Sequence, residues 1–483
     1  MNAKLRDNAT IKAIINGGAA VCGIGISNLP LIDFLLGLGE GVRVTARDKK
    51  SREAIGSLAE QLEEKEVKLR LGDDYLDGLD EAVIFRTPGL RPDTPALADA
   101  VARGALLTSE MELFFELTPA TVIGITGSDG KTTTTTLTYK MLEEEYAGKG
   151  RRVYVGGNIG RPLLPLVGEM TKDDFAVVEL SSFQLQTMKI SPSISAVTNL
   201  TPNHLDWHTG MDEYRAAKLN ICSHPPAKRL TVNAENAVTY EIGCESPLDV
   251  TFFSSKRSGY DAIVPVGKKG ARAVYEHDGY VVMSDGKSEE RILRVADILL
   301  PGRHNVENYM TAISNTYGMV SHETIEKIAK TFPGVEHRLE FVREIDGVKY
   351  YNSSIDSSPT RTAAALSALP QKPVVICGGY DKKIPFAPLA EALINKAAGV
   401  VLTGATAGKI YDSLKENPAF DPELLPVVHE PEFESAVMAA RSMARPGGIV
   451  LLSPACASFD RFKNFMERGD LFKSIVRSFT PFA

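Results

Sequence analysis

Short, almost wholly apolar runs that alternate with helical segments constrain the fold of this chain more than any other feature. In the first hundred residues such runs occupy positions 19–23, 41–45 and 81–85, with a charged amphipathic segment at 51–66. Strand, helix and strand at this spacing are typical of βαβ units around a parallel sheet. We therefore predict an α/β fold for this part of the chain.

The same alternation recurs in two later blocks. Apolar runs lie at 121–125, 175–178 and 194–197, and again at 373–377, 398–402 and 448–452. Strands covered on both faces of a parallel sheet have this composition. Between the two blocks, from 246 to about 300, β-branched and aromatic residues are broken by glycine turns, which predicts an antiparallel patch.

Length and composition agree with a protein of several domains. At about 150 residues per domain, 483 residues suggest three. The changes of pattern place the boundaries near residues 112 and 335, so that the domains are predicted at 1–112, 113–335 and 336–483. The net charge is −7 and the charges are interspersed, which argues against binding to nucleic acid.

Cysteine usage and hydropathy favour a cytoplasmic protein. The five cysteines are widely spaced and contain no Cys-x-x-Cys pair, so they predict neither a disulfide framework nor a zinc site. The most apolar early stretch, 13–39, is interrupted by polar residues and is too short for a membrane span. No leader with a cleavage site precedes it. We expect no association with a membrane.

The clearest local motif is GITGSDGKTT, which begins at Gly124. An apolar strand, a glycine turn and a threonine-rich helix start are typical of a phosphate loop, in which backbone N–H groups hold phosphate. Lys131 would reach the outer phosphates and the Thr132 hydroxyl would bind Mg²⁺. Ile125 stands where the usual motif has its first glycine, and the alternative is a plain glycine turn followed by Lys-Thr.

Three further segments carry candidate metal ligands. Glu179 ends an apolar strand beside the phosphate loop, where either a metal-binding acid or an ordinary solvent-facing glutamate could stand. The segment TPNHLDWH contains His204, His208 and the only tryptophan, although a lone histidine is more often a surface residue. Lys218 follows on a helix, where the spacing alone predicts a solvated lysine.

Other turns follow predicted strands at the edge where open α/β sheets bind ligands. The turn Cys22–Asn28 has two glycines of the three in a dinucleotide-binding motif and suits a diphosphate, or is simply a structural turn. NSSIDSSPT and GGYDKK have the same position in the last third. SPACASFDRFKNFMERGDLF follows a predicted buried strand, where the alternative is a loop leading into an amphipathic helix.

In their order and spacing these motifs resemble the Mur ligase family, the ADP-forming ligases of peptidoglycan precursor synthesis. The resemblance covers the whole chain and rests on GSDGKTT, VELSSFQL, TPNHLDWH, YRAAKLNI, GRHNVENYM and EHRLE. The segment SPACASFDRFKNFMERGDLF resembles that of the members that add D-glutamate. The resemblance implies Rossmann-like first and third domains and a central P-loop ATPase-like domain with a mostly parallel sheet.

The resemblance also implies the substrates and their sites. The first domain would bind the UDP of UDP-N-acetylmuramoyl-L-alanine, the second ATP, and the third D-glutamate, in a cytoplasmic monomer. The UDP-substrate residues would be Ser27, Thr87 and Asn158, and the D-glutamate residues Lys382, Ser458 and Phe465. The residues matched to the ATP site are Gly127, Ser128, Asp129, Gly130, Lys131, Thr132, Thr133, Asn305, Asn308 and Arg338.

For catalysis, the resemblance implies Lys131, Lys218 and His204. Two Mg²⁺ ions would be held by Thr132, Glu179, His204 and Lys218, with Lys218 carbamylated by CO₂.

Some positions depart from the family pattern, and other functions stay open. Many D-glutamate adders have Lys where this chain has Ile355 and an acid where it has Ser353. Lys382 and Lys383 leave the position of a D-glutamate-binding cation ambiguous by one residue. The alternatives are another amino-acid ligase of the superfamily, a phosphate-loop ATPase that regulates a partner, and a dinucleotide-dependent oxidoreductase.

Overall fold

The computed structural model of this chain describes residues 7–25, 27–202 and 207–481. The chain forms two compact units. One contains Met1–Val295 with Glu307–Ile328, and the other contains Ala296–Val306 with Ala329–Ala483.

Two sheets lie in the first unit. Their strands are β1 (Ala19–Cys22), β2 (Val44–Asp48), β3 (Lys68–Leu71), β4 (Val83–Arg86), β5 (Leu106–Thr108), β6 (Thr121–Thr126), β7 (Val153–Gly157), β8 (Phe175–Glu179), β9 (Ile194–Val197), β10 (Arg229–Asn233), β11 (Asp249–Ser254), β12 (Arg272–His277), β13 (Tyr280–Ser284) and β14 (Glu289–Arg294). The helices before residue 295 are α1 (Ala9–Gly17), α2 (Asn28–Leu36), α3 (Arg52–Ile55), α4 (Ser57–Glu64), α5 (Pro95–Ala102), α6 (Glu110–Leu117), α7 (Lys131–Tyr146), α8 (Ser182–Leu185), α9 (Met211–Leu219), α10 (Ala237–Glu245) and α11 (Tyr260–Ile263), with a 3₁₀ turn at Leu164–Glu169.

The first sheet has the strand order β3-β2-β1-β4-β5 and is parallel throughout. Its central strands β1 and β4 are wholly buried, because α/β crossovers cover both faces. This is the parallel sheet of βαβ units predicted for the first hundred residues. The predicted helix at 51–66 is two helices, α3 and α4, since Gly56 between them has a positive φ of 65°.

The second sheet has the order β14-β13-β12-β11-β10-β9-β6-β8-β7. From β7 to β12 all neighbours are parallel, and β6 lies between β8 and β9. The register pairs Ile125 with Glu179 and Thr126 with Val197. The loops after β6, β8 and β9 therefore leave the sheet at one edge, side by side.

The antiparallel patch predicted from 246 to 300 is smaller than expected. Strands β12, β13 and β14 are antiparallel, as predicted. Strand β11 pairs in parallel with both β10 and β12, so the prediction was wrong for that strand. Its β-branched and aromatic composition suits either direction of pairing, and only the crossover through α10 decides between them.

A third sheet lies in the second unit, with the order β15-β16-β20-β17-β18-β19. Its strands are β15 (Glu340–Ile345), β16 (Val348–Asn352), β17 (Val374–Cys377), β18 (Gly399–Leu402), β19 (Val427–His429) and β20 (Ile449–Leu452). The remaining helices of the chain are α12 (Arg303–Thr316), α13 (His322–Thr331), α14 (Pro359–Ala368), α15 (Ala387–Lys396), α16 (Ala407–Glu416), α17 (Phe433–Met443) and α18 (Phe465–Ser478), with a 3₁₀ turn at Val295–Asp297. β15 and β16 form an antiparallel hairpin, and the other pairs are parallel.

The predicted α/β class with mostly parallel sheets is confirmed. Among the helices of the described residues, none is long and apolar enough to cross a membrane. The two domain boundaries near 112 and 335 stay a prediction.

Candidate active site

The predicted phosphate loop is a tight turn between β6 and α7. Its residues 127–130 contact the segment that follows β9: Ser128 N donates to the Asn199 carbonyl at 2.9 Å, and Asp129 N donates to Asn199 Oδ1 at 2.9 Å. The loop conformation is therefore set by a neighbouring strand end as well as by its own glycines.

Two glycines are required by space and by backbone conformation. A Cβ on Gly127, where φ is 148°, would lie 1.9 Å from Thr198 Oγ1. A Cβ on Gly130, where φ is 78°, would lie 2.6 Å from Asn308 Oδ1. Both positions exclude a larger residue, and Gly130 directly precedes the first residue of α7.

Lys131 begins α7 and lies against the loop. Its Nζ donates to the Ser128 carbonyl at 2.8 Å. Thr132 and Thr133 follow in the first turn and are half-buried, while Asp129 is exposed. The positive end of a 16-residue helix and a lysine thus lie at one loop, which is the arrangement that binds phosphate.

Glu179 lies at the end of β8, next to the phosphate strand. It is 1% exposed, and its Oε1 accepts a hydrogen bond from Asn158 Nδ2 at 2.8 Å. Within the part of the chain that the structure describes, no donor reaches Oε2, although that oxygen is buried. A buried carboxylate oxygen without a donor is costly unless it binds a cation, so the residue fits a metal ligand and not a solvent-facing glutamate.

Lys218 is not the solvated lysine that its helix spacing predicted. It is 2% exposed, and its Nζ donates to Thr126 Oγ1 at 3.0 Å and to the Gly127 carbonyl at 2.9 Å. Burial, followed by the neighbouring Lys131 charge, holds the pKa of Lys218 well below its usual value, while Glu179 acts in the opposite direction. Helical periodicity could not show this, because the side that α9 buries depends on the sheet beneath it.

Of the two histidines in TPNHLDWH, the structure describes only His208. His204 lies outside the described residues. His208 is buried, with Nε2 2.9 Å from Ser182 Oγ, and its ring packs between those of Phe183 and Tyr214. Tyr214 in turn contacts the phosphate loop, since its hydroxyl is 3.0 Å from Ser128 Oγ. His208 is therefore a buried side chain packed among the aromatic rings beside the phosphate loop.

Of the two asparagines predicted near ATP, Asn308 contacts the phosphate-loop helix. Its Oδ1 accepts from Thr134 Oγ1 at 3.2 Å. Asn305 belongs to the second unit and donates to the Pro301 carbonyl at 2.7 Å. Arg338 also belongs to the second unit, where it is exposed.

In the first sheet, Ser27 and Thr87 follow β1 and β4, which are neighbouring strands. A Cβ on Gly23 would lie 2.9 Å from Thr87 Cγ2, so the two turns meet closely. Asp48, at the end of β2, was not among the predicted site residues. Its Oδ2 accepts from Ile24 N at 2.7 Å, at the position where an acid beside a glycine turn binds ribose in Rossmann-like sheets.

In the second unit, Lys382 Nζ donates to Ser357 Oγ at 3.1 Å. Ser357 lies in NSSIDSSPT, so the polar turns after β16 and β17 meet. Ser458 is buried and follows the bridge between Tyr380 and Ala457. Phe465 begins α18, and its carbonyl accepts from Ser354 Oγ at 2.8 Å.

Arg468 was not predicted as a site residue, although it lies in the segment that carries the resemblance. It is 2% exposed, and its guanidinium donates to the carbonyls of Cys456, Ala457 and Ser354 and to Ser354 Oγ. Burial lowers its pKa to about 10. Arg468 thus joins helix α18 to the turn that carries Ser458 and to the turn after β16, which contains Ser354.

Comparisons with known proteins agree with this geometry. Residues 125–315 match the model of the Mur ligase middle domain, and residues 337–456 match that of the Mur ligase glutamate ligase domain. The chain is 46% identical to the UDP-N-acetylmuramoylalanine--D-glutamate ligase of Acetivibrio thermocellus, over 99% of each protein. This chain belongs to the Mur ligase family.

Another relative of this Mur ligase is the UDP-N-acetylmuramoylalanine--D-glutamate ligase of Clostridium novyi, 48% identical over 96% of this chain and 97% of that protein. Among solved structures, the UDP-N-acetylmuramate-alanine ligase MurC of Thermotoga maritima is similar in fold. Its TM-score is 0.53 at 18% identity, over 96% of this chain and 99% of that one. MurF of Acinetobacter baumannii has a TM-score of 0.52 at 16% identity, over 78% of this chain and 87% of that one.

The middle-domain match of this Mur ligase contains the phosphate loop, Glu179, Lys218 and Asn308. The glutamate ligase match contains Lys382 and Arg338 and ends before Ser458. The motifs from GSDGKTT to GRHNVENYM therefore lie within the middle-domain match, whereas most of SPACASFDRFKNFMERGDLF lies beyond the end of the glutamate ligase match.

Proposed function

We propose that this chain joins D-glutamate to UDP-N-acetylmuramoyl-L-alanine at the expense of ATP, forming ADP and phosphate. The observation that carries the proposal is a phosphate loop that lies beside a buried carboxylate, Glu179, and a buried lysine, Lys218. The chain that contains them is 46% identical to a UDP-N-acetylmuramoylalanine--D-glutamate ligase. The reaction is a step of peptidoglycan precursor synthesis.

The three substrates are assigned to three parts of the chain. Residues 1–112 bind the UDP-sugar substrate, 113–335 bind ATP, and 336–483 bind D-glutamate. Each part contains a mostly parallel sheet, and open sheets of this kind bind ligands at the carboxyl ends of their strands. Ser27, Thr87 and Asn158 are proposed to contact the UDP-sugar substrate.

ATP is held by the loop Gly127–Gly130 and the first turn of α7, Lys131, Thr132 and Thr133. The loop supplies backbone N–H groups and Lys131 a charge, while Asn308 borders the loop at Gly130. From the resemblance, Asn305 and Arg338 are also proposed to contact ATP.

Two Mg²⁺ ions are proposed, held by Thr132, Glu179, His204 and a carbamylated Lys218. The buried, donor-free Oε2 of Glu179 fits a cation ligand. A buried lysine with a lowered pKa is neutral more often than a surface lysine, and a neutral amine can add CO₂, releasing one proton and gaining a carboxylate. Mg²⁺ would neutralise charge on the phosphoryl oxygens.

The chemistry must activate a carboxylate, which is a poor electrophile. Transfer of the γ-phosphoryl group of ATP to that carboxylate gives an acyl phosphate and ADP. The amino group of D-glutamate then attacks the acyl carbon, and phosphate leaves. Lys131 stabilises the charge that gathers on the transferring group, which is most of what such catalysis requires.

D-Glutamate carries two carboxylates, and the second unit offers a cation and hydroxyls for them. Lys382 is the proposed cation, with Ser458 and Phe465 as further contacts. The hydrogen bond from Lys382 to Ser357 supports placing a carboxylate between these turns. The chain is proposed to act as a cytoplasmic monomer.

The test measures release of ADP and phosphate with ATP, Mg²⁺ and UDP-N-acetylmuramoyl-L-alanine, comparing D-glutamate with L-glutamate, meso-diaminopimelate and L-lysine. Release only with D-glutamate, with a product heavier by one glutamyl residue, is the expected result. Release with another amino acid would assign a different ligase specificity. Release without the UDP-sugar substrate would contradict ligation and favour an ATPase.

A further inference from the structure

Two arginines at the end of β4 and on the loop that follows it contact the segments that follow β8 and β9 of the second sheet, and no step of the proposed reaction uses them. Arg86 is the last residue of β4, and the loop runs from Thr87 to Arg91 and beyond. Thr87 is a proposed contact of the UDP-sugar substrate. We call Arg86 and Arg91 the arginine pair.

Arg86 joins this loop to the segment that follows Glu179. It is 1% exposed, and its Nη2 donates to the Phe183 carbonyl and to Thr187 Oγ1, both at 2.9 Å. Thr187 Oγ1 in turn donates to Glu112 Oε2 at 3.1 Å. A buried guanidinium is costly, so its position requires that all of these acceptors stay in place.

Arg91 joins the same loop to the segment after β9. Its Nη2 donates to Glu213 Oε1 at 3.1 Å, its Nη1 donates to the Trp207 carbonyl, and its Cζ lies 4.9 Å from the centre of the Trp207 ring. Trp207 Nε1 donates back to the Gly89 carbonyl at 3.3 Å. The segments that follow β8 and β9 are also joined to each other, since Gln186 Nε2 donates to Glu213 Oε1 at 2.5 Å.

From Arg91, packed side chains continue to the phosphate loop. The rings of Trp207 and His208 are 4.8 Å apart, and those of His208 and Tyr214 are 5.3 Å apart. Tyr214 contacts Ser128 by its hydroxyl, and Lys218 Nζ lies 5.0 Å from its ring centre. Each step is a direct contact between buried or half-buried groups.

We propose that the arginine pair consists of positioning residues that couple occupancy of the UDP-substrate loop to the phosphate loop. The inference rests on the proposed function, because it takes a UDP-sugar substrate as the ligand of the first sheet. Substrate bound at Thr87 would hold residues 86–91 in place, and through the arginine pair it would hold Phe183, Thr187, Trp207 and Glu213 in the arrangement that binds ATP. Such coupling is reciprocal between the two ligands.

The test compares the Kd of a non-hydrolysable ATP analogue with Mg²⁺, by calorimetry, in the absence and presence of saturating UDP-N-acetylmuramoyl-L-alanine. In the wild-type chain we expect UDP-N-acetylmuramoyl-L-alanine to lower the Kd of the ATP analogue by about tenfold. In Arg91→Ala and in Arg86→Met the factor should fall below about twofold. Arg91 is 26% exposed, so its variant tests the proposal even if Arg86→Met does not fold.

The matched control is Arg52→Ala, which removes an exposed ion pair with Glu63 in the same unit and should keep the tenfold factor. Trp207, the only tryptophan of the chain, reports the contact directly, and its emission should shift in Arg91→Ala but not in the control. If the arginines had only a structural role, their variants would have lower thermal stability and an unchanged coupling factor.

An unchanged factor in both arginine variants would overturn the proposal. Turnover with D-glutamate is measured on the same wild-type preparation. Turnover without coupling overturns the positioning role alone, and coupling without turnover overturns the proposed reaction alone.

Discussion

At the scale of single residues, the site consists of groups whose burial is costly unless a ligand compensates it. Lys218 and Glu179 are both buried at the carboxyl edge of the second sheet, and Glu179 keeps one oxygen without a donor among the described residues. A buried charge that folding alone does not require indicates a binding role. Ligand binding and turnover should therefore depend on these groups and on the glycines beside them.

Replacing Gly127 by alanine should weaken binding of the ATP analogue at least tenfold. The new Cβ would lie 1.9 Å from Thr198 Oγ1, and φ at this position is 148°, so the loop must shift. Calorimetry measures the effect. Gly168→Ala is the control, since a Cβ there meets nothing within 4 Å, and it should bind as the wild type does. Equal affinity of both variants would mean that the loop does not bind ATP.

Replacing Lys218 by alanine should abolish ligation and keep binding of ATP within a few-fold. The change removes a proposed metal ligand but leaves the backbone N–H groups and Lys131 in place. Lys131→Ala, as the comparison, should lose several orders of magnitude in rate, because it removes charge stabilisation from the phosphoryl group. Phosphate release measures both rates. Wild-type turnover in Lys218→Ala would contradict the carbamate hypothesis.

At the scale of elements, helix α6 connects the first sheet to the second and carries a carboxyl that titrates near neutrality. Glu110 is buried, and its Oε1 accepts from Leu164 N at 3.2 Å, at the start of the 3₁₀ turn Leu164–Glu169. Burial raises the pKa of Glu110 to about 7. The packing of α6 therefore makes stability depend on pH.

We expect the effect of Glu110→Gln on the free energy of unfolding to be more favourable at pH 8 than at pH 5. A carboxyl whose pKa is raised on folding contributes stability that is fully present below its unfolded pKa of 4.5 and lost as pH rises through about 7. The change in free energy of unfolding caused by the substitution should thus be more favourable by about 2 to 3 kcal/mol at pH 8. Urea denaturation measures it. The exposed Glu64→Gln is the control, and no pH dependence of the Glu110→Gln difference would contradict the prediction.

At the scale of the whole molecule, the chain separates into two compact units, and the proposed substrates divide between them. The phosphate loop lies in the first unit and the Lys382–Ser357 pair in the second. A substitution at Lys382 should therefore change the kinetics of D-glutamate more than those of ATP.

For Lys382→Ala we expect the KM for D-glutamate to rise at least tenfold, with the KM for ATP within about twofold of wild type. Loss of the cation removes a charge-assisted contact to a carboxylate. Lys383→Ala is the matched control, because it removes the same charge one residue along and should have little effect. Steady-state rates with each substrate varied in turn provide the measurement. A larger effect from Lys383→Ala would move the site by one residue.

Local patterns in the sequence predicted the α/β class, the main buried strands and the turn between β6 and α7. Strand runs such as 175–178 and 194–197 are apolar throughout because parallel strands are covered on both faces, and that constraint is visible in composition. GSDGKTT likewise predicts its own turn, since Gly127 and Gly130 are required by backbone conformation and close packing. The same motifs carry the resemblance to the family, because phosphate binding restricts the residue types that such a turn can contain.

The tertiary structure alone decided which side chains are buried and what they contact. Lys218 has an ordinary helical position in the sequence, and only the packing of α9 on the sheet buries its ammonium against the phosphate loop. The direction of β11, the carbonyls around Arg468 and the contacts of Arg86 and Arg91 also depend on residues far away along the chain. Local patterns determine elements because their forces act between near neighbours, whereas burial and charge pairing arise only when distant segments meet.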